Sequence, residues 1–469
     1  MGKGNAEKST KGKRASKRGH DARRSEAVIA KALALLQPGA HDPLAQDAAG
    51  IMRRVKDIIG TIEKQIAAQG VSAQVMLGGS LAKQTNLPGD HDVDLFVVFD
   101  TQKHHGDDLS ELLERLLTPF GVERLHGSRD YFQISGDEAH AGRKSAGKAP
   151  HPGQRRMNVE IVPVLRIASA SEARNVTDCS PLHVDWFAKQ CRKRPGLSDQ
   201  VRLAKQFCKA ARCYGAESYI RGFSGHVLDI LCAHYGSFAG LLEASRCWKE
   251  QHIIDSNDVH KGNALHNLNT AKIESGLIVI DPLDPSRNAA AALDWKQCRR
   301  FMDAADTFLR KPSLSAFTKT PRTPETLLRQ AGKDILLLVA FRSLPGKRDV
   351  VGSKLVKALT HLERQLEAND FHVREADMEW DGAPENGKGL FFFIVKKEKR
   401  GTHHILEGPP ARAREHAKRF RERHASVVEK DGRLYAKETY AFASADAALR
   451  TALRDPYVKE RVKSARLSG

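Results

Sequence analysis

No two cysteines in the 469-residue chain stand at CxxC spacing, and the seven present are scattered and odd in number. That leaves out the ligand spacing of a structural zinc site and argues for thiols in a reducing compartment, with no disulfide framework. No apolar run reaches the roughly 18–20 residues that a membrane span needs. The first residues also lack the apolar stretch and cleavage site of a secretion signal. A cytoplasmic protein with no membrane partner is expected. Internal repeats are missing too. Acid is in deficit: 57 Asp and Glu stand against 76 Lys and Arg, a formal charge of +19. A surplus of that size favours a polyanionic partner through counterion release and electrostatic steering, with nucleic acid the first choice. Charge alone does not identify the polymer.

The length implies two to four packed units. Residues 1–24 are rich in Lys, Arg, Gly and Ser and almost free of apolar side chains, which reads as a disordered basic arm. Such an arm is either a solubilising extension or a loose contact for RNA phosphates. Helical spacing over Ala27–Gln37 and Ile51–Ala68 precedes a β-rich region, Val71–Arg166, that contains one helix at Leu109–Leu117. The Gly-, Pro- and Lys-rich stretch Ala139–Gln154 reads as an exposed loop. From Pro181 to about Lys311 helical periodicity dominates. After a linker at Pro312–Pro324, the segments Asp334–Phe341, Leu355–Ala368 and Gly389–Val395 read as β, α and β, and a basic tail follows Gly408. The expected fold class is α+β multidomain, divided as a head over 25–170, a helical central domain over 171–320 and a C-terminal α/β body and tail over 321–469.

The chemistry concentrates in Gly78-Gly79-Ser80-Leu81-Ala82-Lys83, followed after a short loop by Asp92-Val93-Asp94 and the apolar run Leu95–Phe99. Strand side chains alternate faces, so Asp92 and Asp94 project together at one strand end while their neighbours are buried. By itself the pair reads equally as solvated acids after the turn Pro88-Gly89-Asp90. The upstream glycines change that balance, because they let backbone approach a phosphate, and Ser80 with Lys83 can cradle a triphosphate. Two adjacent hard oxygen ligands suit Mg²⁺. A third acid, Glu160, stands among apolar residues in Val159–Val164, where a lone charge would be costly. Shared metal ions would account for it.

The GGS turn, the DxD pair and the later acid before Ile-Val-Pro resemble the polymerase β nucleotidyltransferase superfamily. The segments Asn175–Phe187, Ala216–Phe238, Val279–Leu293 and His403–Phe420 are similar to the archaeal-type, class I CCA-adding enzymes, and the likeness runs from about Ser25 to Ala443. It implies a nucleotidyltransferase head and a tRNA-binding body and tail. It further implies addition of C, C and A to the 3′ end of tRNA from CTP and ATP at a two-metal Mg²⁺ site. By the same resemblance Asp92, Asp94 and Glu160 are catalytic metal ligands, although the family's third acid is usually Asp. Ser80, Lys83, His183, Lys205 and Tyr214 match its nucleotide-binding positions, and Arg287 is carried with them. In a continuous helix Lys205 and Tyr214 would face opposite ways, so a shared role requires the helix to end near Cys213, with Gly215 as the terminator. The family's HPY segment survives only as His151-Pro152-Gly153. Arg412, Arg414, Lys418, Arg419, Arg421 and Arg423 would meet phosphates and 2′-hydroxyls of the acceptor and T stems. The sequence is silent on oligomeric state, and a homodimer stands as one option. The competing readings are a poly(A) polymerase or another enzyme with this head, a cyclic-nucleotide signalling enzyme, and a non-catalytic RNA-binding protein.

Overall fold

A computed structural model describes residues 23–36, 45–90, 92–135, 157–383, 385–398 and 401–468. The loop over 139–154, with His151-Pro152-Gly153, and most of the basic arm lie outside them. The chain forms two compact units. One runs to Ala216 and resumes over Ile220–Lys319, and the other joins Glu217–Tyr219 to Thr320–Gly469.

In the first unit, strands β1 (Ala73–Leu77), β2 (Asp92–Phe99), β3 (Glu123–Leu125), β4 (Tyr131–Ser135) and β5 (Asn158–Leu165) make one mixed sheet in the order β1-β2-β5-β4-β3. β2 and β5 pair in parallel, and the other neighbours are antiparallel. Strand alternation sorts the two faces. Val93, Leu95, Val97, Phe99, Val159 and Ile161 pack in one core with Val55, Ile58 and Ile62 of helix Ala45–Ala68 and with Leu112, Leu113 and Leu116 of helix Leu109–Leu116. Each such side chain contributes ~1.5–3 kcal/mol when fully buried. The opposite face carries Asp92, Asp94 and Glu160 at one end, and Phe96, Val98 and Val164 beyond them.

The same unit contains helices Ser180–Lys193, Leu197–Ala210, Gly225–Tyr235, Phe238–Ser245 and Trp295–Arg310. Their core is aromatic, with Phe207 edge-on to Phe238, Phe301 and Phe308. A two-stranded parallel sheet, β6 (His252–Ile254) with β7 (Leu277–Val279), leads into the Asp281 loop. Gly215 is not the helix terminator expected above. The helix ends at Ala210, and Arg212 takes the left-handed conformation at φ +60°. Tyr214 then pairs with Phe223 in an extended bridge.

In the second unit β8 (Ile335–Arg342), β9 (Val373–Trp380), β10 (Lys388–Val395) and the C-terminal strand Ser464–Ser468 form an antiparallel sheet, with β8 and β10 in the middle. Helix Arg348–Ala368 covers one face through Val351, Leu355, Ala358 and Leu362. Helix Pro324–Ala331 packs Leu327 and Ala331 on Phe392 and Ile394 of the other. β11 (His403–Pro410), β12 (Val427–Lys430) and β13 (Arg433–Thr439) make a second sheet, ordered β11-β13-β12. The basic helix Arg414–Arg423 joins β11 to β12.

Candidate active site

Asp94 and Glu160 are register partners on the parallel strands β2 and β5, and Asp92 lies one pleat before Asp94 on the same face. Burial, and then the charge of Asp92, push the Asp94 carboxyl above its ordinary range. Burial, then Asp94, then Asp92 do the same to Glu160. Three hard carboxylates on one face, with Asp94 and Glu160 disfavoured in their charged forms, are the donor set a small divalent cation compensates, so these residues fit a divalent metal site. The turn above them is dictated sterically. Gly78 donates its N–H to the Asp94 carbonyl at 2.7 Å. A Cβ on Gly79 would stand 1.6 Å from Asp94 Oδ2, and the residue already sits at φ +56°. A Cβ on Gly78 would meet the Phe96 ring at 2.4 Å. Ser80 follows in the short helix Gly79–Ala82, its carbonyl accepting from Thr85 N–H at 2.9 Å.

Behind the turn lies a bank of lysines. Lys83 Nζ is 2.8 Å from Asp229 Oδ2, while Asp229 Oδ1 is buried without a hydrogen-bond partner among the described residues. Lys205 Nζ donates to Thr85 O at 3.1 Å and to Thr85 Oγ1 at 2.9 Å, and burial lowers its pKa. Lys209 Nζ is 2.8 Å from Asp90 and 5.5 Å from the centre of the Tyr214 ring. Because the helix stops at Ala210, Lys205 and Tyr214 converge. A Cβ built on Gly225 would lie 3.3 Å from Lys205 Cε and 3.4 Å from the Tyr214 hydroxyl. Both Lys83 and Lys205 act electrostatically on Asp94.

His183 and Arg287 meet at one buried acid. His183 Nε2 is 3.0 Å and His226 Nε2 3.2 Å from Asp281 Oδ2, and Arg287 Nη1 donates to the same oxygen at 3.2 Å. Leu283 N–H donates to Asp281 Oδ1 at 3.0 Å. Burial pushes the Asp281 pKa up, but the hydrogen bonds from the two histidines outweigh it and hold the carboxyl well below its usual range. His183, Arg287, Arg174 and Asn175 border a cavity of about 220 Å³. Lys83 ties this cluster to the carboxylates, since its charge bears on both His226 and Asp94.

Sequence reasoning gave no functional role to Asp229, Thr85, His226 or Asp281. The signal for Asp229 was present: it is a lone acid in the apolar run Val227-Leu228-Asp229-Ile230-Leu231, the same pattern that singled out Glu160.

Three family profiles match consecutive stretches of the chain. "Nucleotidyltransferase domain" matches residues 54–133, "tRNA nucleotidyltransferase, second domain" 199–318, and "CCA-adding enzyme, C-terminal domain" 333–460. The CCA-adding enzyme of Nanoarchaeum equitans is 32% identical over 367 residues, which span 77% of this chain and 82% of that one. The Pyrococcus abyssi enzyme is 32% identical over 366 residues, 75% of this chain and 74% of its own. The chain belongs to the CCA-adding enzyme family. It is accordingly a nucleotidyltransferase with a polymerase β-like head, whose activity is CCA addition to tRNA. The CCA-adding enzyme of Methanosarcina barkeri, 30% identical over 384 residues, spans 78% of this chain and 77% of its own. A solved structure, Escherichia coli MS115-1 CdnC with ATP, aligns at TM-score 0.42 and 18% identity over 62% of this chain and 94% of that one, and carries no part of the assignment. Within this CCA-adding chain the first profile spans Ser80, Lys83, Asp92 and Asp94 but stops before Glu160. The second spans Lys205, Tyr214, Asp229, Asp281 and Arg287 but begins after His183. Among the described residues no helix is long and apolar enough to cross a membrane.

Proposed function

We propose that Asp92, Asp94 and Glu160 hold the Mg²⁺ ions with which this enzyme transfers nucleotides from CTP and ATP to the 3′ end of tRNA. Two such ions, when bound, lower the pKa of the attacking ribose hydroxyl and neutralise charge on the leaving pyrophosphate. The remaining work falls to the chain's own groups. Ser80 and the backbone N–H groups of the GGS turn receive phosphate oxygens, as a glycine-rich turn can. Lys83 and Lys205 add positive charge at the triphosphate, and a polyanion beside desolvated Lys205 favours its protonated form. Tyr214, which converges with Lys205, orients the nucleotide. His183 and Arg287, held on Asp281, present donors to it. The head spans 25–170, the helical central domain 171–320 and the tRNA-gripping body and tail 321–469, with a basic arm at 1–24, and the enzyme works in the cytoplasm. Arg412, Arg414, Lys418, Arg419, Arg421 and Arg423 read the acceptor and T stems by shape and phosphate charge, because A-form RNA exposes little sequence to side chains.

One observation carries this reading: Asp94 and Glu160 stand side by side as register partners beneath a GGS turn that has no room for a methyl group. The test is Mg²⁺-dependent CTP incorporation into tRNA ending before CCA. Glu160→Gln should lower the rate by at least ~10²–10³-fold, the loss seen when a transition-state charge partner is removed. Glu160→Asp should retain activity, since the carboxylate survives. Undiminished turnover in Glu160→Gln would remove Glu160 from the site.

A further inference from the structure

Away from the three carboxylates, one other group among the described residues is arranged to take a metal ion: His183, His226 and Asp281, whose ligand atoms all lie within 4.8 Å of one another. They come from three separate elements. His183 is in the first turn of helix Ser180–Lys193, His226 in the first turn of helix Gly225–Tyr235, and Asp281 just beyond β7. The constellation is therefore fixed by backbone rather than by one flexible loop. The two nitrogens stand 3.0 and 3.2 Å from the shared carboxylate oxygen. An ion with bonds of ~2.0–2.1 Å in tetrahedral geometry spaces its ligand atoms roughly 3.3 Å apart, so both nitrogen–oxygen spacings are already close to what it needs.

The donor set differs in kind from the catalytic one. Three carboxylates suit a hard ion, whereas two imidazoles with one carboxylate suit Zn²⁺, Co²⁺, Ni²⁺ or Fe²⁺, with a coordination position left over. The competitor already present is Arg287, whose guanidinium donates to the same Asp281 oxygen. That side chain is 34% exposed and borders the cavity that also reaches His183, so an ion has a way in and the guanidinium has a way out. Among the described residues no second hydrogen bond pins the His226 ring, whose Nδ1 is buried without a partner there.

We propose that His183, His226 and Asp281 form a second metal site, selective for a transition ion such as Zn²⁺, and that this ion and the Arg287 guanidinium exclude each other at Asp281. Occupancy then takes His183 and Arg287 away from the nucleotide, so micromolar transition ions inhibit a Mg²⁺-supplied enzyme. That consequence rests on the nucleotide-binding role assigned to those two residues, while the binding itself does not.

The test uses untagged, full-length protein carrying Asp92→Asn and Asp94→Asn, so that the carboxylate site is disabled, titrated with CoCl₂ in excess Mg²⁺. Visible d–d absorption should grow and saturate at about one equivalent, the behaviour of a single built site. Adding His226→Gln should weaken Co²⁺ binding by more than ~100-fold, beyond what loss of an outer contact costs. His226→Asn replaces it if circular dichroism shows the first variant unfolded. Arg287→Ala should tighten binding. No saturable band, or a band that persists in both His226 variants, overturns the site, and an unchanged affinity in Arg287→Ala overturns the exclusion. In the enzyme with its carboxylates intact, Zn²⁺ should inhibit nucleotide addition in competition with CTP, and His226→Gln should relieve that inhibition. Co²⁺ binding without inhibition would overturn the role of His183 and Arg287 at the nucleotide and leave the site standing.

Discussion

At Gly79 a single methyl group is incompatible with the carboxylate it covers, because its Cβ would fall 1.6 Å from Asp94 Oδ2 at a backbone φ of +56°. Gly79→Ala must move either the turn or Asp94, and a displacement of about 1 Å costs on the order of 10²-fold in rate. Steady-state CTP addition measures that loss, and circular dichroism should show the fold intact. Asp94 and Glu160 permit a test with the opposite sign for stability. Their raised pKa values mean that the charged forms are less favourable folded than unfolded. The penalty is absent below the ordinary carboxylate pKa and develops as pH rises through the raised folded values. Metal-free Asp94→Asn should therefore melt higher than the parent at neutral pH, by about 2–4 °C if 1 kcal/mol is relieved. The parent should close that gap when Mg²⁺ is added, while the variant is inactive at any Mg²⁺ concentration. Equal melting temperatures without metal would contradict the crowding of the three acids. Lys83→Met strands Asp229 as a buried charge and should cost ~3–5 kcal/mol in denaturant unfolding, with most of it recovered in the Lys83→Met/Asp229→Leu pair. At this scale the carboxylates and the glycine turn were legible in the sequence, because strand alternation and steric demand are local. The hub at Asp281 was not, since His183 lies 98 residues from its partner and His226 lies 55 from it.

Among the elements, the helices and the apolar strands followed their periodicity. β9 was not picked out, because in Val-Arg-Glu-Ala-Asp-Met-Glu-Trp the apolar face is only Ala376, Met378 and Trp380, with acids between them. It is an edge strand whose Glu375 and Asp377 pair with Arg322, so charge rather than burial holds part of it. The end of helix Leu197–Ala210 was expected about three residues too late, near Cys213. The chain leaves the helix through Arg212 in the left-handed conformation, a choice fixed by Tyr214 pairing with Phe223 and not by a glycine. The tail helix Arg414–Arg423 presents its cations as a row. Arg414, Lys418 and Arg421 recur at one-turn intervals and border a single concavity of about 370 Å³. Lys418 and Arg421 already pair with Glu422 and Glu429, but exposed pairs of that kind are worth only ~0–1 kcal/mol and exchange readily for phosphate. Replacing the three basic residues by Ala should weaken tRNA binding and flatten the plot of log affinity against log salt by roughly 0.7–0.9 per phosphate contact removed. Filter binding across a salt series measures both, and an unchanged slope would take this helix off the RNA.

For the whole molecule, the charge of +19 and the order of segments were the most legible features, because they depend on composition and sequence order. All seven cysteines are free thiols, and Cys208, Cys213, Cys232 and Cys298 are among those buried in the core. Burial lifts the Cys208, Cys232 and Cys298 thiols far above the range in which a thiolate forms at neutral pH. The three profile matches follow one another as a nucleotidyltransferase part, a second domain and a C-terminal domain, and Asp92 and Asp94 of the carboxylate site lie in the first of them, with Glu160 on the paired strand just beyond it. The central claim is that this site, in this chain, adds C, C and A to tRNA. The most direct measurement offers the full-length protein labelled CTP and ATP with Mg²⁺ and tRNA transcripts ending before CCA, after C and after CC, alongside Asp94→Asn. Each transcript should be completed to CCA in order and then stop, and the variant should add nothing. Open-ended A-tailing, product made without RNA, or addition that survives in Asp94→Asn would contradict that claim.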